Sequence, residues 1–146
     1  MTDANPSLAA ARDLVDTFVA TLDRDEFDAW LGLFADDGYY AVLRQLELIQ
    51  DNNVVLIGED MKRLRARIES GRERDKRRTV HMVSGVRVAA GGNEVSAAFA
   101  LWYDGIPTYS GRYLFELSGA SGAWRIRKCT VVLDNDIIRA PIYMPI

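Results

Sequence analysis

Val95-Ser96-Ala97-Ala98-Phe99-Ala100-Leu101-Trp102-Tyr103-Asp104-Gly105 is the stretch whose reading decides the fold. Val95, Ala97, Phe99, Leu101 and Tyr103 recur at every second position, the period of a strand with one buried face, and Asp104-Gly105 is a dipeptide that closes tight hairpins. Upstream, Val80, Met82, Val86 and Val88 alternate in the same way, and Gly91-Gly92 turns the chain. Downstream, Tyr109 to Leu117 predicts a third strand, Ser118 to Gly122 a loop and Trp124 to Leu133 a fourth strand. The region from roughly 78 to 134 is therefore expected to be an antiparallel meander.

Ahead of it the period changes. Leu8, Ala11, Val15, Phe18, Val19 and Leu22 fall at three-to-four spacing, which predicts a helix over 6–22 with Asn5 as its cap and Pro6 at the first helical position. A second helix is expected over 25–35, capped by Asp25, with Phe27, Trp30, Leu31 and Phe34 on one face and an end near Asp36-Asp37-Gly38. A third is expected over 59–69, with Glu59 and Asp60 at its positive end, Met61, Leu64 and Ile68 on one face, Arg65 and Arg67 toward its negative end, and Gly71 as its stop. Between the helices, Tyr39 to Leu43 and Leu46 to Ile49 read as short strands, Asp51-Asn52-Asn53 as a turn and Val54 to Ile57 as a brief apolar run. Helices first and a meander afterwards give an α+β class, in which amphipathic helices cover the apolar face of a strongly curved, mostly antiparallel sheet.

A chain of 146 residues with 49% hydrophobic residues supports one domain, taken as 1–146, with a single core. Cys129 is the sole cysteine, no leader precedes the first helix, and no long uncharged apolar run occurs, so the expected compartment is the reducing cytoplasm without membrane attachment. Residues 1–60 carry 13 acids and 3 bases, and 61–80 carry 9 bases and 3 acids, on a chain of net charge −3. So short a basic run on an acidic chain argues against a nucleic-acid partner. A Rieske centre needs two Cys and two His, and a mononuclear iron triad needs two His and a carboxylate; one His and one Cys supply neither. Structural zinc fails on the same count, and there is no glycine-rich phosphate loop. Any activity is expected to be cofactor-free or to belong to a partner.

Asp25-Glu26-Phe27-Asp28-Ala29-Trp30-Leu31-Gly32-Leu33-Phe34-Ala35-Asp36-Asp37, then Gly58-Glu59-Asp60 with Leu64 and Arg67, then Trp124-Arg125-Ile126-Arg127-Lys128 with Val131, Val132, Leu133 and Asp134, stand in an order and spacing that resemble the small (beta) subunits of Rieske-type aromatic-ring-hydroxylating dioxygenases. Lys76-Arg77-Arg78 leading to Val83-Ser84-Gly85-Val86-Arg87-Val88 is similar to that family's arginine-rich entry to its first long strand, where an Asn is common at the place of Gly85. The resemblance implies the cone-shaped fold of the nuclear-transport-factor-two-like superfamily. It also implies a non-catalytic structural role, a large (alpha) subunit carrying the Rieske [2Fe-2S] cluster and the mononuclear iron, and a trimer of this chain within an alpha3beta3 hexamer. Among the family's members the compact small subunits found with benzoate-, salicylate- or terephthalate-type oxygenases are the nearest in length.

On the family reading this chain has no catalytic residues. The alternative is a free-standing, cofactor-free isomerase, dehydratase or cyclase of the same fold, using His81 with Asp37 and Tyr40, since a His of ordinary basicity held by a carboxylate is a general base. The alternation places His81 opposite Val80 and Met82, on the other sheet face or near a strand end. Interface candidates are Arg74, Arg77 and Arg78 in the basic run, Trp102, and Ile142, Tyr143 and Met144 in the tail 137–146, which is apolar enough to be expected to dock, on its own sheet or on a neighbouring copy.

Overall fold

A computed structural model describes residues 5–52, 54–90, 92–120 and 122–146. Asn53, Gly91 and Ser121, each expected in a turn or loop, lie outside the described residues. The elements run α1 (Leu8–Asp23), α2 (Phe27–Leu31), β1 (Phe34–Arg44), α3 (Gln45–Ile49), β2 (Ile57–Asp60), α4 (Met61–Arg74), β3 (Thr79–Val88), β4 (Glu94–Tyr103), β5 (Ile106–Ser118) and β6 (Arg125–Leu133). The strands form one sheet in the order β2-β1-β6-β5-β4-β3, antiparallel except for the parallel pair β1 and β6.

The meander over β3 to β6 follows the alternation. Val95, Ala97, Phe99, Leu101 and Tyr103 of β4 are buried, and Asp104 (φ 50) and Gly105 (φ 78) make the β4–β5 turn with two left-handed residues. On β3 the sense of the alternation is inverted: Val80 and Met82 are exposed, while the His81 side chain faces inward and is buried. Within the register shift between Ser84 and Arg87, Gly85 sits at φ 64, a left-handed conformation that Gly and Asn both accept, so the departure from the Asn common in the family that the sequence resembles is conformationally tolerated. The concave face closes on α1 through Ala11, Val15, Phe18, Val19 and Leu22, with Phe18 meeting Trp30, Tyr113 and Phe115 at ring-centroid distances of 5.4, 5.2 and 5.1 Å.

Several boundaries differ from the sequence expectation. α1 is capped by Ser7, whose side chain accepts from the Ala10 N–H at 3.0 Å, in place of Asn5. Asp25 does not cap α2: it occupies a left-handed corner (φ 56) and Glu26 stands at the cap. The second helix stops at Leu31 and not near 35, because Phe34 to Arg44 gain a strand partner on each side, β2 and β6, that local periodicity cannot show. Leu46 to Ile49 are helical instead of extended; Glu47 folds back to accept from the Arg44 backbone N–H at 2.9 Å, while Leu48 and Ile49 stay exposed, so there is no strand face to bury. Gly58-Glu59-Asp60 pair with Tyr39 to Ala41 as strand, and α4 starts after Asp60, which accepts from the Arg63 N–H at 2.9 Å. Gly71 does not stop α4.

Candidate functional site

The cone's chemistry gathers around β3. α1 ends on Asp23, and β3 brings His81 and Thr79 beneath it. Asp23 Oδ1 accepts from His81 Nδ1 at 2.6 Å and from the Thr79 hydroxyl at 2.9 Å, while Oδ2 accepts from the His81 backbone N–H at 2.9 Å. Burial works to raise the Asp23 carboxyl, but the side-chain and backbone hydrogen bonds from His81, with that of Thr79, outweigh it and hold the carboxyl below the ordinary carboxylate range. An ionised Asp23 accepts only, so Nδ1 is the donor of the pair, and Nε2 is buried without a partner among the described residues.

Three buried tyrosines, Tyr113, Tyr40 and Tyr103, share this interior. Tyr113 stacks on Phe99 at 4.3 Å; burial first, then the charges of Tyr40, Cys129 and Asp23, push its hydroxyl well above the usual phenol range, and that hydroxyl also lacks a partner. Tyr40 is fully buried; its hydroxyl donates to the Ile146 carbonyl and accepts from the Ile146 N–H, each at 2.9 Å. Tyr103 lies under the Arg77 guanidinium at 3.9 Å, and burial raises its hydroxyl too. A cleft of about 380 Å³ opens at the mouth, bounded by Leu22, Phe27, Arg72, Arg77, Thr79, Tyr103 and Met144.

Of the alternative catalytic set, His81 and Tyr40 face the interior and Asp37 is exposed on β1, so the carboxylate that meets His81 is Asp23. Asp23 had one signal in the sequence. A carboxylate on the last residue of a helix sits against the negative end of the helix dipole and needs donors from elsewhere.

Arg77 forks onto Asp75 at 2.8 and 2.7 Å and donates to the Pro141 carbonyl at 2.9 Å, which ties the tail to its own chain. Arg74 and Arg78 are exposed, Arg78 lying 3.8 Å from Asp104; Trp102 is half-buried. In the tail Met144 and Ile146 are buried against their own core, Ile142 is half-buried and Tyr143 is exposed.

Among the described residues no group of three or more His, Cys, Asp or Glu is placed to hold a metal ion. The residues present do not fit an iron–sulfur cluster or a mononuclear iron. The one His is committed to Asp23, and burial keeps the Cys129 thiol well above its usual range, protonated in the core. No helix among the described residues is long and apolar enough to cross a membrane.

The ring-hydroxylating beta subunit family matches residues 19–140. Among solved structures, the chain is similar to the beta subunit assigned to an aromatic-ring-hydroxylating dioxygenase of Novosphingobium aromaticivorans, with a TM-score of 0.76 at 20% identity over 88% of this chain and 89% of that one. It is similar to the beta subunit of benzoate 1,2-dioxygenase of Burkholderia mallei, with 0.74 at 20% identity over 95% and 97% of the two chains. A chain assigned as a scytalone dehydratase of Novosphingobium aromaticivorans gives 0.67 at 14% identity over 86% and 83%. The fold is thus the cone-shaped, nuclear-transport-factor-two-like one that the sequence implied. No curated protein matches the chain in sequence.

Proposed function

Because the chain belongs to the ring-hydroxylating beta subunit family, we propose that it is the small, non-catalytic structural subunit of a multi-component aromatic-ring-hydroxylating dioxygenase of the cytoplasm. In this reading it supports large alpha subunits that hold the Rieske cluster and the mononuclear iron and oxidise an aromatic ring, aromatic carboxylates included. Three copies trimerise within an alpha3beta3 hexamer, and the subunit acts on catalysis by holding one large subunit's cluster near the next one's iron. The observation that carries the reading is the family match across residues 19–140, and the outer sheet surface agrees with it: Val80, Met82 and Ile106 are 56%, 61% and 66% exposed. Co-expression with a candidate alpha subunit, followed by light scattering and an iron assay on each chromatographic peak, tests it. We expect a complex of both chains that carries iron and a free small chain that carries none. A small chain that stays apart from every large subunit offered sinks the reading.

One observation favours a second reading, the free-standing isomerase, dehydratase or cyclase. His81 is paired to a carboxylate, with Nε2 turned inward as a base would be, although the carboxylate is Asp23 and not Asp37. Turnover of a small hydrophobic substrate by the isolated chain, abolished by His81→Gln, would establish it.

A further inference from the structure

Three buried polar side-chain atoms among the described residues have no hydrogen-bond partner: His81 Nε2, Tyr113 Oη and Trp30 Nε1. Burying such an atom unpaired is costly, and folded interiors keep few of them. All three can bond to a hydroxyl: the indole N–H donates, the phenol does both, and the imidazole Nε2 accepts or donates according to its proton. One aromatic cage joins them. Tyr113 stacks on Phe99 at 4.3 Å, Phe99 lies 6.5 Å from His81, and Phe18 touches both Tyr113 at 5.2 Å and Trp30 at 5.4 Å.

Against this cage lies a segment that belongs to no helix or strand. Ile146 is fully buried, its backbone held by the Tyr40 hydroxyl at 2.9 Å on both its N–H and its carbonyl, and Tyr40 in turn packs on Trp30 at 5.7 Å. Met144 bounds the mouth cleft beside Thr79, whose hydroxyl is bonded to Asp23. A segment held by a few side-chain bonds, outside the sheet ladder, opens at lower cost than the strands around it. The side chains of Met144 and Ile146 together have about the bulk of a phenol.

We propose that the cone is a binding site for a small hydroxylated aromatic, and that Met144 to Ile146 is the plug that leaves when the ring enters. The ring packs among Phe18, Phe99 and Tyr113, and its hydroxyl, which can both donate and accept, bonds to His81 Nε2 and to the Tyr113 hydroxyl. Asp23 positions His81 so that Nε2 faces inward. Nothing covalent is required, and the site needs neither a large subunit nor turnover.

The test uses the full chain, wild type and M144A/I146A, titrated calorimetrically with phenol and with toluene, which has the same shape and no hydroxyl. The plug variant is expected to bind phenol about tenfold more tightly than the wild type and about tenfold more tightly than it binds toluene; Y113F in that background should remove part of the preference for phenol, leaving the share that His81 supplies. Equal binding of the two probes would mean an apolar hole and no site, and a folded variant that binds neither overturns the proposal as firmly. If the double variant does not fold, Y40F, which only releases Ile146, is put through the same comparison. Wild-type chain provides a further check: the Met144 methyl resonance should move with phenol and stay still with toluene, and a resonance unmoved by phenol would overturn the plug.

Discussion

The Tyr113 ring packs among Phe18, Phe99 and Phe115 and its hydroxyl is buried and unpaired, so in the free chain it is a cost without a compensating bond. Tyr113→Phe is expected to stabilise the chain by about 1 kcal/mol, seen as a higher urea midpoint at unchanged slope; a loss of stability would show that the hydroxyl has a partner. Asp23 is the opposite case, with three donors converging on it. Asp23→Asn replaces one acceptor oxygen by a donor that faces a donor, and should destabilise by about 2 kcal/mol. The sign with pH follows from the depressed carboxyl. Its contribution is fully present above the unfolded value of 3.8 and is lost as the pH falls through that value toward the lower folded one. Urea unfolding at a series of pH values from about 6 down to 3 should therefore show a shallower acid decline in Asp23→Asn than in the wild type. The pair itself was only half legible. His81 stood out as the sole histidine, but its partner lies 58 positions away, and Asp37, closer in sequence, stands exposed on β1.

At the scale of elements, Gly71 shows how packing overrides a local stop signal. It lies inside α4 because a Cβ there would come within 2.4 Å of the Met144 Sδ and 2.9 Å of the Tyr143 carbonyl oxygen, so the bare Cα is what lets the tail cross the helix. Gly→Ala in a helix interior ordinarily gains up to about 1 kcal/mol in propensity. Gly71→Ala should instead destabilise by about 1–3 kcal/mol through overpacking and should free the tail, measured as faster amide exchange at Ile146. A stabilised variant would mean that the tail does not pack there. The strands β3 to β6 were legible because each buries one face and so writes a two-residue period. The segments 34–38 and 45–49 were not: the first runs into a strand whose partner β6 is distant in sequence and meets it irregularly before Tyr39, and the second is short, with Leu48 and Ile49 outside.

The whole molecule presents a filled concave side and, on the outer side of β3, side chains that a monomer has no reason to expose. Val80 and Met82 project outward at 56% and 61% exposure, and Val80 is registered with half-buried Trp102 and so joins β4 to the patch. β3 is also an edge of the sheet, and a long edge with apolar outward residues is where an uncovered protein would associate. If this surface is covered in the hexamer we propose, a charge there should act on assembly and not on folding. The doubly substituted V80D/M82D chain is accordingly expected to unfold within about 0.5 kcal/mol of the wild type, since neither side chain contributes to the core. It should nevertheless fail to co-elute with the large subunit, because an unpaired carboxylate would have to be desolvated at the contact. Light scattering separates the outcomes: a complex that survives both carboxylates places the contact elsewhere on the molecule, and a chain that loses its own stability shows that β3 was packed inward after all.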